Sequence, residues 1–575
     1  MGDRASRAMR PMVAILVTAA LLAGCSSDGS EGATSASTTT APRATTTEAG
    51  GGEPTEGGTA STHGCEQGAT GDLGAAERVA GSDTDWTVTS FDGTELRTHW
   101  FPTDATDDEP APSILMGPGW SLAGDTSLAD SGGVLFGALS IKAMLDRGYN
   151  VLTWDPRGFG RSTGTVEVNS PDFEGRDVQV LLDWVASQPE AKVDADGDPR
   201  VGMVGFSYGG GIQLTTAAID CRVDALVPGI AWNSLETSLF KNRTVKQGWA
   251  SILASIGGGN LDPHITTASA SGTKDGTLSV EDEAWFRDRG PGELIDQVEV
   301  PTLFVQGTVD TLFTLDEAIT NQRSLLERKV PTAMLWFCGG HGVCLTDPGD
   351  ATRVTEASFA WLDRYVKDDA SVPAVNGFEL VDQDGTTWTA EAYPTSFDEE
   401  IVAKGGGAMA LTDIGGAGPI TVPAGKGDAL GGLVAPITPG PAETAVEVAV
   451  DPGTIEGLAI GTPKLTLTYS GDAPDGPEPT RVFAQVVDDE RKVVVDNQIT
   501  PIELDLDGEV HTVTVDLEVL GLHVEPGQEL TLQLTPTTVA YARPRLGGSV
   551  VFRSIELTLP VVTEGFTWGP AGGKG

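Results

Sequence analysis

The chain has 575 residues, which is too many for one hydrophobic core, so two or three domains are expected. It carries 82 acidic against 36 basic residues, for a formal net charge of -46. Such a charge repels phosphate backbones and anionic lipid surfaces, and it therefore argues against nucleic acid as a partner.

The N-terminal segment has the organisation of an export signal. Three arginines precede the apolar run 12–24, which is too short to span a bilayer comfortably and ends at Cys25. The letters "LAGC" resemble the bacterial lipobox, so we expect a signal peptide over 1–25, a lipidated Cys25 and a place on the outer face of the cell membrane. The alternative is an ordinary secretory signal with a chance cysteine. Residues 26–62 are polar and predict a disordered tether.

Four further cysteines predict two disulfide bonds, because an exported protein oxidises an even set of thiols. Cys338 and Cys344 are the easiest pair to close, which leaves Cys65 with Cys221. The alternative is a metal site with His341 between two thiolates, but no second Cys or His pair lies at a suitable spacing. We therefore expect no metal.

Between residues 63 and 371, short apolar strands alternate with amphipathic helices, which predicts an α/β sheet. The interval 231–298 interrupts this alternation and predicts a helical cap over the carboxyl ends of the strands. The predicted elements are a hairpin at 86–101, strands at 113–120, 149–160, 200–206, 223–230, 302–310 and 332–342, and helices at 173–188 and 354–365.

The remaining part, 372–575, is rich in Val, Thr, Gly and Pro. Segments such as "TAVEVAV", "KLTLTYS", "KVVVDNQI" and "HTVTVDLEV" carry strand patterning with turn residues between them. This pattern predicts a β-sandwich of jelly-roll type behind the α/β domain.

The stretch 205–209 reads G-F-S-Y-G and matches the pattern G-x-S-x-G between a predicted strand and a predicted helix. A sharp strand-to-helix turn strains the backbone of Ser207 and projects its hydroxyl above the sheet. Gly205 and Gly209 relieve the crowding of such a turn. The pattern predicts that Ser207 is a nucleophile.

A serine hydroxyl needs a base to take its proton, and the base needs a carboxylate to fix its tautomer. In α/β-hydrolases the chain order is serine, acid, histidine, each after a strand. Asp310 and His341 follow two successive predicted strands and fill these roles. Asp316 and Asp347 remain substitutes for the acid, although Asp310 follows its strand directly.

An oxyanion needs two hydrogen-bond donors. We expect them to be the backbone N–H groups of Tyr208, next to the nucleophile, and of Trp120, in the loop "MGPGW". Trp120 could instead form a wall of the pocket. A Cys338–Cys344 bond would brace the loop that holds His341, or serve as an ordinary structural staple.

Several motifs together resemble the peptidase S15 family, which includes X-prolyl dipeptidyl-peptidases and the cocaine-esterase-like CocE/NonD hydrolases. They are "GYNVLTWDPRGFGRSTG" (148–164), "VGFSYGGG" (204–211), "VPTLFVQGTVDTLF" (300–313) and "GGHG" (339–342), with 385–394 and 522–537 similar to the C-terminal jelly roll of that family. The resemblance implies a serine hydrolase of esters or amides with an acyl-enzyme intermediate and no cofactor. It assigns the triad to Ser207, Asp310 and His341.

One departure from the family concerns the oxyanion. Several relatives use a tyrosine hydroxyl from the loop after the third strand, whereas "MGPGW" contains no tyrosine, so a backbone donor must serve. Asp155 and Arg157 also fit the family pattern, and we interpret them as residues that hold their loop together.

Two functions stay open at this point. The first is a lipid-anchored, exported serine hydrolase that acts on a small ester or peptide, including Xaa-Pro peptides. The alternative is a non-catalytic surface lipoprotein that binds ligands on a hydrolase scaffold. A peptidase that requires a free N-terminus also needs a carboxylate for the substrate ammonium, and Glu236 and Glu283 of the cap are candidates.

Overall fold

The computed structural model describes residues 67–104, 109–129, 139–422, 429–473 and 480–569. The predicted signal peptide, Cys25, the tether and Cys65 lie outside these residues. No helix in the described ranges is both long and apolar enough to cross a bilayer.

The first part of the chain alternates strands and helices, as its pattern predicted. Its elements are β1 (Ala76–Arg78), β2 (Asp85–Thr89), β3 (Glu95–Phe101), β4 (Ser113–Gly117), α1 (Ile141–Asp146), β5 (Asn150–Trp154), α2 (Glu174–Ala186), β6 (Val193–Ala195), β7 (Asp198–Pro199), β8 (Val201–Phe206), α3 (Tyr208–Ile219), β9 (Val223–Gly229), α4 (Leu235–Leu239), α5 (Gln247–Ile256), α6 (Pro263–Asp275), α7 (Val280–Arg287), β10 (Thr302–Gly307), α8 (Leu315–Glu327), β11 (Thr332–Phe337) and α9 (Arg353–Tyr365).

The second part of the chain is almost entirely strand. Its elements are β12 (Phe378–Val381), β13 (Thr387–Ala390), β14 (Glu399–Ala410), α10 (Ala429–Val434), β15 (Val446–Val450), β16 (Gly457–Ala459), β17 (Lys464–Asp472), β18 (Thr480–Asp488), β19 (Val493–Val494), β20 (Thr500–Leu504), β21 (His511–Asp516), β22 (Leu522–Val524), β23 (Leu530–Thr535), β24 (Ser549–Val561) and β25 (Thr567–Gly569).

Among the described residues, twelve strands form a central sheet in the order β1-β2-β3-β5-β4-β8-β9-β10-β11-β12-β13-β25. Within this spatial order, the seven strands β5-β4-β8-β9-β10-β11-β12 run parallel to one another. The strands outside them, β1, β2 and β3 at one edge and β13 and β25 at the other, pair antiparallel. Helices α2, α3 and α8 pack on one face, while α1 and α9 pack on the other. Parallel strands covered on both faces bring their carboxyl ends to one edge, where the connecting loops can meet.

The predicted cap is helical. Between β9 and β10 lie α4, α5, α6 and α7, and their apolar side chains form one cluster with residues of the loops above the sheet. Asp262 begins α6 by accepting the backbone N–H of His264, and Ser279 begins α7 by accepting that of Asp282. The cap therefore closes over the carboxyl edge of the central sheet.

The C-terminal part contains two facing antiparallel sheets, β14-β24-β17-β21 and β15-β23-β18-β19, with β20 paired to β18. Their inner side chains share one apolar core, so the predicted β-sandwich is confirmed. The strands β12, β13 and β25 also fall in the range 372–575, yet they extend the central sheet. Strand patterning shows that a segment is extended but not which sheet it joins.

Candidate active site

Ser207 occupies the turn between β8 and α3. Its φ of 58° is in the left-handed region, which a non-glycine residue adopts only where the surroundings impose it. The Ser207 N–H donates to the carbonyl oxygen of Gly229 at 2.8 Å. A Cβ on Gly209 would lie 2.1 Å from the carbonyl oxygen of Gly117, so the chains approach too closely there for any side chain. Glycine is therefore required beside the nucleophile, as the sequence pattern predicted.

His341 joins Ser207 to Asp310. Its Nε2 lies 2.8 Å from Ser207 Oγ, and its Nδ1 lies 2.7 Å from Asp310 Oδ2. The histidine is 6% exposed and the aspartate 0%. With the proton on Nδ1 shared with the carboxylate, Nε2 is free to accept the serine proton. The structure thus brings the three predicted residues together in the order that nucleophilic catalysis requires.

Asp310 is fixed by hydrogen bonds from its own loop. Its Oδ1 accepts the backbone N–H groups of Leu312 at 2.9 Å and Phe313 at 2.8 Å. Gly340 has a φ of 106°, and a Cβ there would lie 2.7 Å from Asp310 Oδ2. The loops that carry Asp310 and His341 are therefore in direct contact. This contact and the two backbone hydrogen bonds fix the orientation of the carboxylate toward the imidazole.

The two substitute acids lie elsewhere. Asp316 is 3.5 Å from the ammonium of Lys241. Asp347 accepts the N–H of Gly349 at 3.0 Å in its own turn. Neither residue contacts His341 in the described part of the chain, whereas Asp310 does. That same part contains no group of three or more His, Cys, Asp or Glu residues arranged to hold a metal ion.

Cys338 and Cys344 form a disulfide bond that encloses the His341 loop, with Cα atoms 5.5 Å apart. Their sulfurs are therefore not available as metal thiolates around His341. Cys221 is also disulfide-bonded. Because Cys65 lies outside the described residues, the Cys65–Cys221 pairing stays a prediction.

A pocket beside Ser207 is bounded by the turn between β8 and α3, the Asp310 loop and the cap. It is lined by Trp120, Val168, Ser207, Tyr208, Trp232, Leu235, Leu239, Val245, Ala250, Leu253, Ala254, Ile265, Ala268, Ser269, Leu278, Phe286, Leu312 and Phe313. Every cap helix from α4 to α7 contributes to this lining. The cap therefore shapes the space in which a substrate can meet the nucleophile.

The two predicted oxyanion donors both border this pocket. Tyr208 is the first residue of α3, where a backbone N–H has no acceptor within its own helix. The rings of Trp120 and Tyr208 meet edge to face at 5.4 Å. The Trp120 indole N–H donates to the carbonyl oxygen of Leu253 at 3.0 Å. Trp120 is thus a pocket wall, and its backbone role stays a prediction.

Asp155 and Arg157 are buried in the loop after β5. Asp155 accepts the N–H of Gly124 at 2.8 Å and that of Arg161 at 2.7 Å. Arg157 makes two bonds of 2.7 Å to Asp177. Both side chains are engaged within the fold, which agrees with their interpretation as loop-holding residues.

The sandwich provides contacts that sequence reasoning missed. Gln498 donates to the carbonyl oxygen of Asp310 at 2.9 Å, and Asn497 donates to that of Val343 at 2.9 Å. The patterning of "KVVVDNQI" predicts a strand, but a 3₁₀ turn at Val495–Asn497 interrupts it. Asp496 and Asn497 have φ values of 51° and 58°. The adjacent Asp-Asn pair, which tolerates this conformation, was the available signal.

The fold and this site define an α/β-hydrolase, in which a strained serine turn, an acid loop and a histidine loop meet above a parallel sheet. Residues 92–342 match the family described as X-Pro dipeptidyl-peptidase (S15 family). The resemblance inferred from the motifs is thereby confirmed over those residues.

Solved structures share the fold across both parts of the chain. A CocE/NonD family hydrolase from Staphylococcus aureus has a TM-score of 0.60 at 14% identity, covering 83% of this chain and 93% of its own. An α-amino acid ester hydrolase has a TM-score of 0.62 at 12% identity, covering 83% and 96%. An aminopeptidase from a marine sediment Thaumarchaeota archaeon has a TM-score of 0.59 at 14% identity, covering 82% and 95%.

Alignments with curated relatives are shorter. An uncharacterized protein of Pseudomonas aeruginosa is 33% identical over 90 residues, which is 16% of this chain and 23% of the relative. A polyketide transferase of a Penicillium species is 27% identical over 146 residues, which is 25% of this chain and 43% of the relative. The chain thus spans less than half the length of these relatives.

Proposed function

We propose that this hydrolase cleaves an ester or amide bond through an acyl-enzyme formed on Ser207. The observation that carries the proposal is the continuous relay from Ser207 Oγ to His341 Nε2 at 2.8 Å and from His341 Nδ1 to Asp310 at 2.7 Å. Neither a binding protein nor a structural domain needs a serine in a strained conformation bonded to a buried His–Asp pair.

In the first half-reaction, His341 Nε2 takes the Ser207 proton while Oγ bonds to the substrate carbonyl carbon. The resulting oxyanion would be held by the backbone N–H of Tyr208 and a second donor from the Trp120 loop. Collapse breaks the bond to the leaving group, which departs as an alcohol or amine with the proton from His341. Water then attacks the acyl-enzyme by the same relay and releases the acid.

The protein is further proposed to act outside the cell, held by lipid on Cys25. Support comes from the three arginines, the apolar run 12–24 and the "LAGC" sequence. Two acyl chains give stable anchoring, and a polar tether would let the catalytic part work away from the membrane. Metabolic labelling with radioactive palmitate tests this: label on the wild type and none on Cys25→Ser is expected, and an unlabelled wild type would contradict it.

A fluorophosphonate probe tests the catalytic proposal because it bonds to an activated serine. The wild-type protein should be labelled and should hydrolyse p-nitrophenyl esters, while Ser207→Ala should lose both properties. Ser255→Ala is the matched control, since Ser255 is an exposed residue of α5 whose hydroxyl bonds its own helix. A folded wild type that neither reacts with the probe nor turns over esters would favour the alternative of a non-catalytic binding lipoprotein.

A further inference from the structure

The described lining of the pocket beside Ser207 is almost entirely apolar. Among the residues that the structure describes, Ser207 and Ser269 bring aliphatic hydroxyls to its lining, and none of the described lining residues is charged. The remaining walls are aliphatic and aromatic, from Leu235 on α4 to Phe286 on α7. A ligand in this space would contact hydrocarbon on nearly every side.

The side-chain N–H and O–H groups of the aromatic walls are already hydrogen-bonded within the protein. The indole N–H of Trp232 donates to the carbonyl oxygen of Arg289 at 3.1 Å, as that of Trp120 does to Leu253 at 3.0 Å. The Tyr208 hydroxyl donates to Glu174 at 3.2 Å. The side chains of these three residues therefore offer ring surface to a substrate, and their N–H and O–H donors are already used within the protein.

Two nearby charged groups, on Glu174 and Lys246, are also hydrogen-bonded within the protein. Glu174 lies behind Tyr208 and accepts the backbone N–H groups of Glu167 at 2.7 Å and Ser170 at 3.0 Å. The Lys246 ammonium donates to the carbonyl oxygen of Leu312 at 3.0 Å, and Leu312 presents its side chain to the pocket.

The cap carboxylates that could have bound an ammonium face Arg287 instead. Glu236 and Glu283 both form ion pairs with that residue, at 26% and 32% side-chain exposure, and neither lines the pocket. Asp282 is bonded to His264 at 2.8 Å. The sequence candidates for amine recognition are therefore neutralised on the cap.

We propose that the substrate of this site is an ester of an uncharged aliphatic acid, whose acyl chain occupies the apolar pocket. An ester that carries a free α-ammonium group on its acyl part is not accepted. This rests on the proposed function, because it assumes acylation of Ser207. Each methylene group buried in the pocket adds hydrophobic stabilisation to the acylation transition state. An ammonium in the same place would be desolvated with no carboxylate to pair with it.

The test compares chain length and charge separately on the full-length protein. Across p-nitrophenyl acetate, butyrate and hexanoate, kcat/KM should rise about fourfold per methylene, equivalent to about 0.8 kcal/mol. Methyl hexanoate and norleucine methyl ester have the same carbon chain and differ only in the α-amino group of the second. The assay is run at about pH 6.5, where that amino group is protonated. The uncharged ester should be hydrolysed about 100-fold faster or more.

A pair of variants on one helix assigns the effect to the pocket. Ala268 lines the pocket from α6, while Ala270 on the same helix is exposed. Ala268→Phe should lower the hexanoate-to-acetate ratio of kcat/KM by about tenfold or more, since it occupies the space of several methylene groups. Ala270→Phe should leave that ratio unchanged. Fluorophosphonate labelling of each variant reports a folded site.

The outcomes separate the two proposals. Equal or faster hydrolysis of norleucine methyl ester by a protein that labels at Ser207 would overturn the acyl-chain inference and leave the serine hydrolase standing. An unchanged hexanoate-to-acetate ratio in a labelled Ala268→Phe variant would overturn it as well. A folded wild type that neither labels nor turns over any ester would overturn both.

Discussion

The strands of the central sheet and those of the sandwich bury their side chains in different ways. Every residue of β8 and of β10 is buried, because helices cover both faces of the central sheet. In β15 of the sandwich, buried Val446, Val448 and Val450 alternate with two exposed residues. The central sheet therefore gives near-continuous apolar runs in the sequence, and the sandwich gives a period of two.

The two regions also differ in what they bring to the site. Ser207, Asp310 and His341 all follow strands of the central sheet, which supplies every proposed reacting group. The sandwich instead contributes Asn497 and Gln498, whose side chains bond to main-chain carbonyl groups of the acid and histidine loops. The central sheet therefore carries the proposed reacting groups, and the sandwich restrains the loops on which two of them lie. Substitutions in either region test this division of roles.

The largest effect is expected for Asp310→Asn. An amide would keep the bonds to the Asp310 loop but could not accept the Nδ1 proton of His341, so the imidazole would take the wrong tautomer. We expect kcat to fall about 10⁴-fold with little change in stability, measured on a p-nitrophenyl ester. Asp347→Asn is the control, because Asp347 follows His341 in sequence but lies in its own turn. Equal losses in both variants would contradict the assignment of the acid.

A smaller effect is expected for Gln498→Met, which keeps the side-chain length but removes the donor to the Asp310 and Thr308 carbonyl groups. The acid loop would lose a restraint, and kcat should fall roughly 10- to 100-fold with KM nearly unchanged. Gln485→Met is the matched control, since Gln485 bonds to Gly440 and Gln533 inside the sandwich. If both variants lowered kcat equally, loss of sandwich stability would be the cause.

Glu174, the first residue of α2 on the central sheet, is a buried acid. Burial raises the pKa of Glu174 from its ordinary 4.5 to about 7, against the lowering effect of the Glu167 N–H. Between these values the folded chain retains a proton that the unfolded chain releases. The contribution of Glu174 to stability is therefore present below pH 4.5 and is lost as the pH rises toward 7.

Glu174→Gln should remove this loss of stability with rising pH, because a glutamine side chain does not ionise. The free energy of unfolding of the wild type should decline more steeply between pH 4.5 and 7 than that of the variant, by up to about 1.4 kcal/mol per pH unit. Urea unfolding at several pH values measures the difference. Parallel pH profiles for the two proteins would show that Glu174 is already ionised in the folded state.

Much of this organisation could be predicted from the sequence because its signals are local. The glycines around Ser207 reflect a close approach that tolerates no side chain, and Asp310 and His341 follow strands that belong at one sheet edge. In the sandwich, the alternation in "KLTLTYS" is the burial pattern of β17 itself.

The contacts between distant segments could not be predicted in this way. Asn497 and Gln498 reach loops about 150 to 190 residues earlier in the chain, at sequence separations of 154 and 188. The pocket combines four cap helices with the turn at Ser207, so its apolar character emerges only when those helices pack. Likewise, β12 is patterned like any strand, and its place beside β11 depends on tertiary packing.

The smallest effect is expected on the outer face of the sandwich, where Lys464 of β17 and Asp516 of β21 form a cross-strand ion pair at 2.8 Å. Both side chains are 61% exposed, so water and salt screen the attraction. Lys464→Ala should change the free energy of unfolding by less than about 0.5 kcal/mol and leave kcat unaltered. A clear loss of kcat would mean that the whole sandwich, rather than the turn at Val495–Asn497 and its neighbour Gln498, restrains the catalytic loops. The division between a catalytic sheet and a locally supporting sandwich would then have to be abandoned.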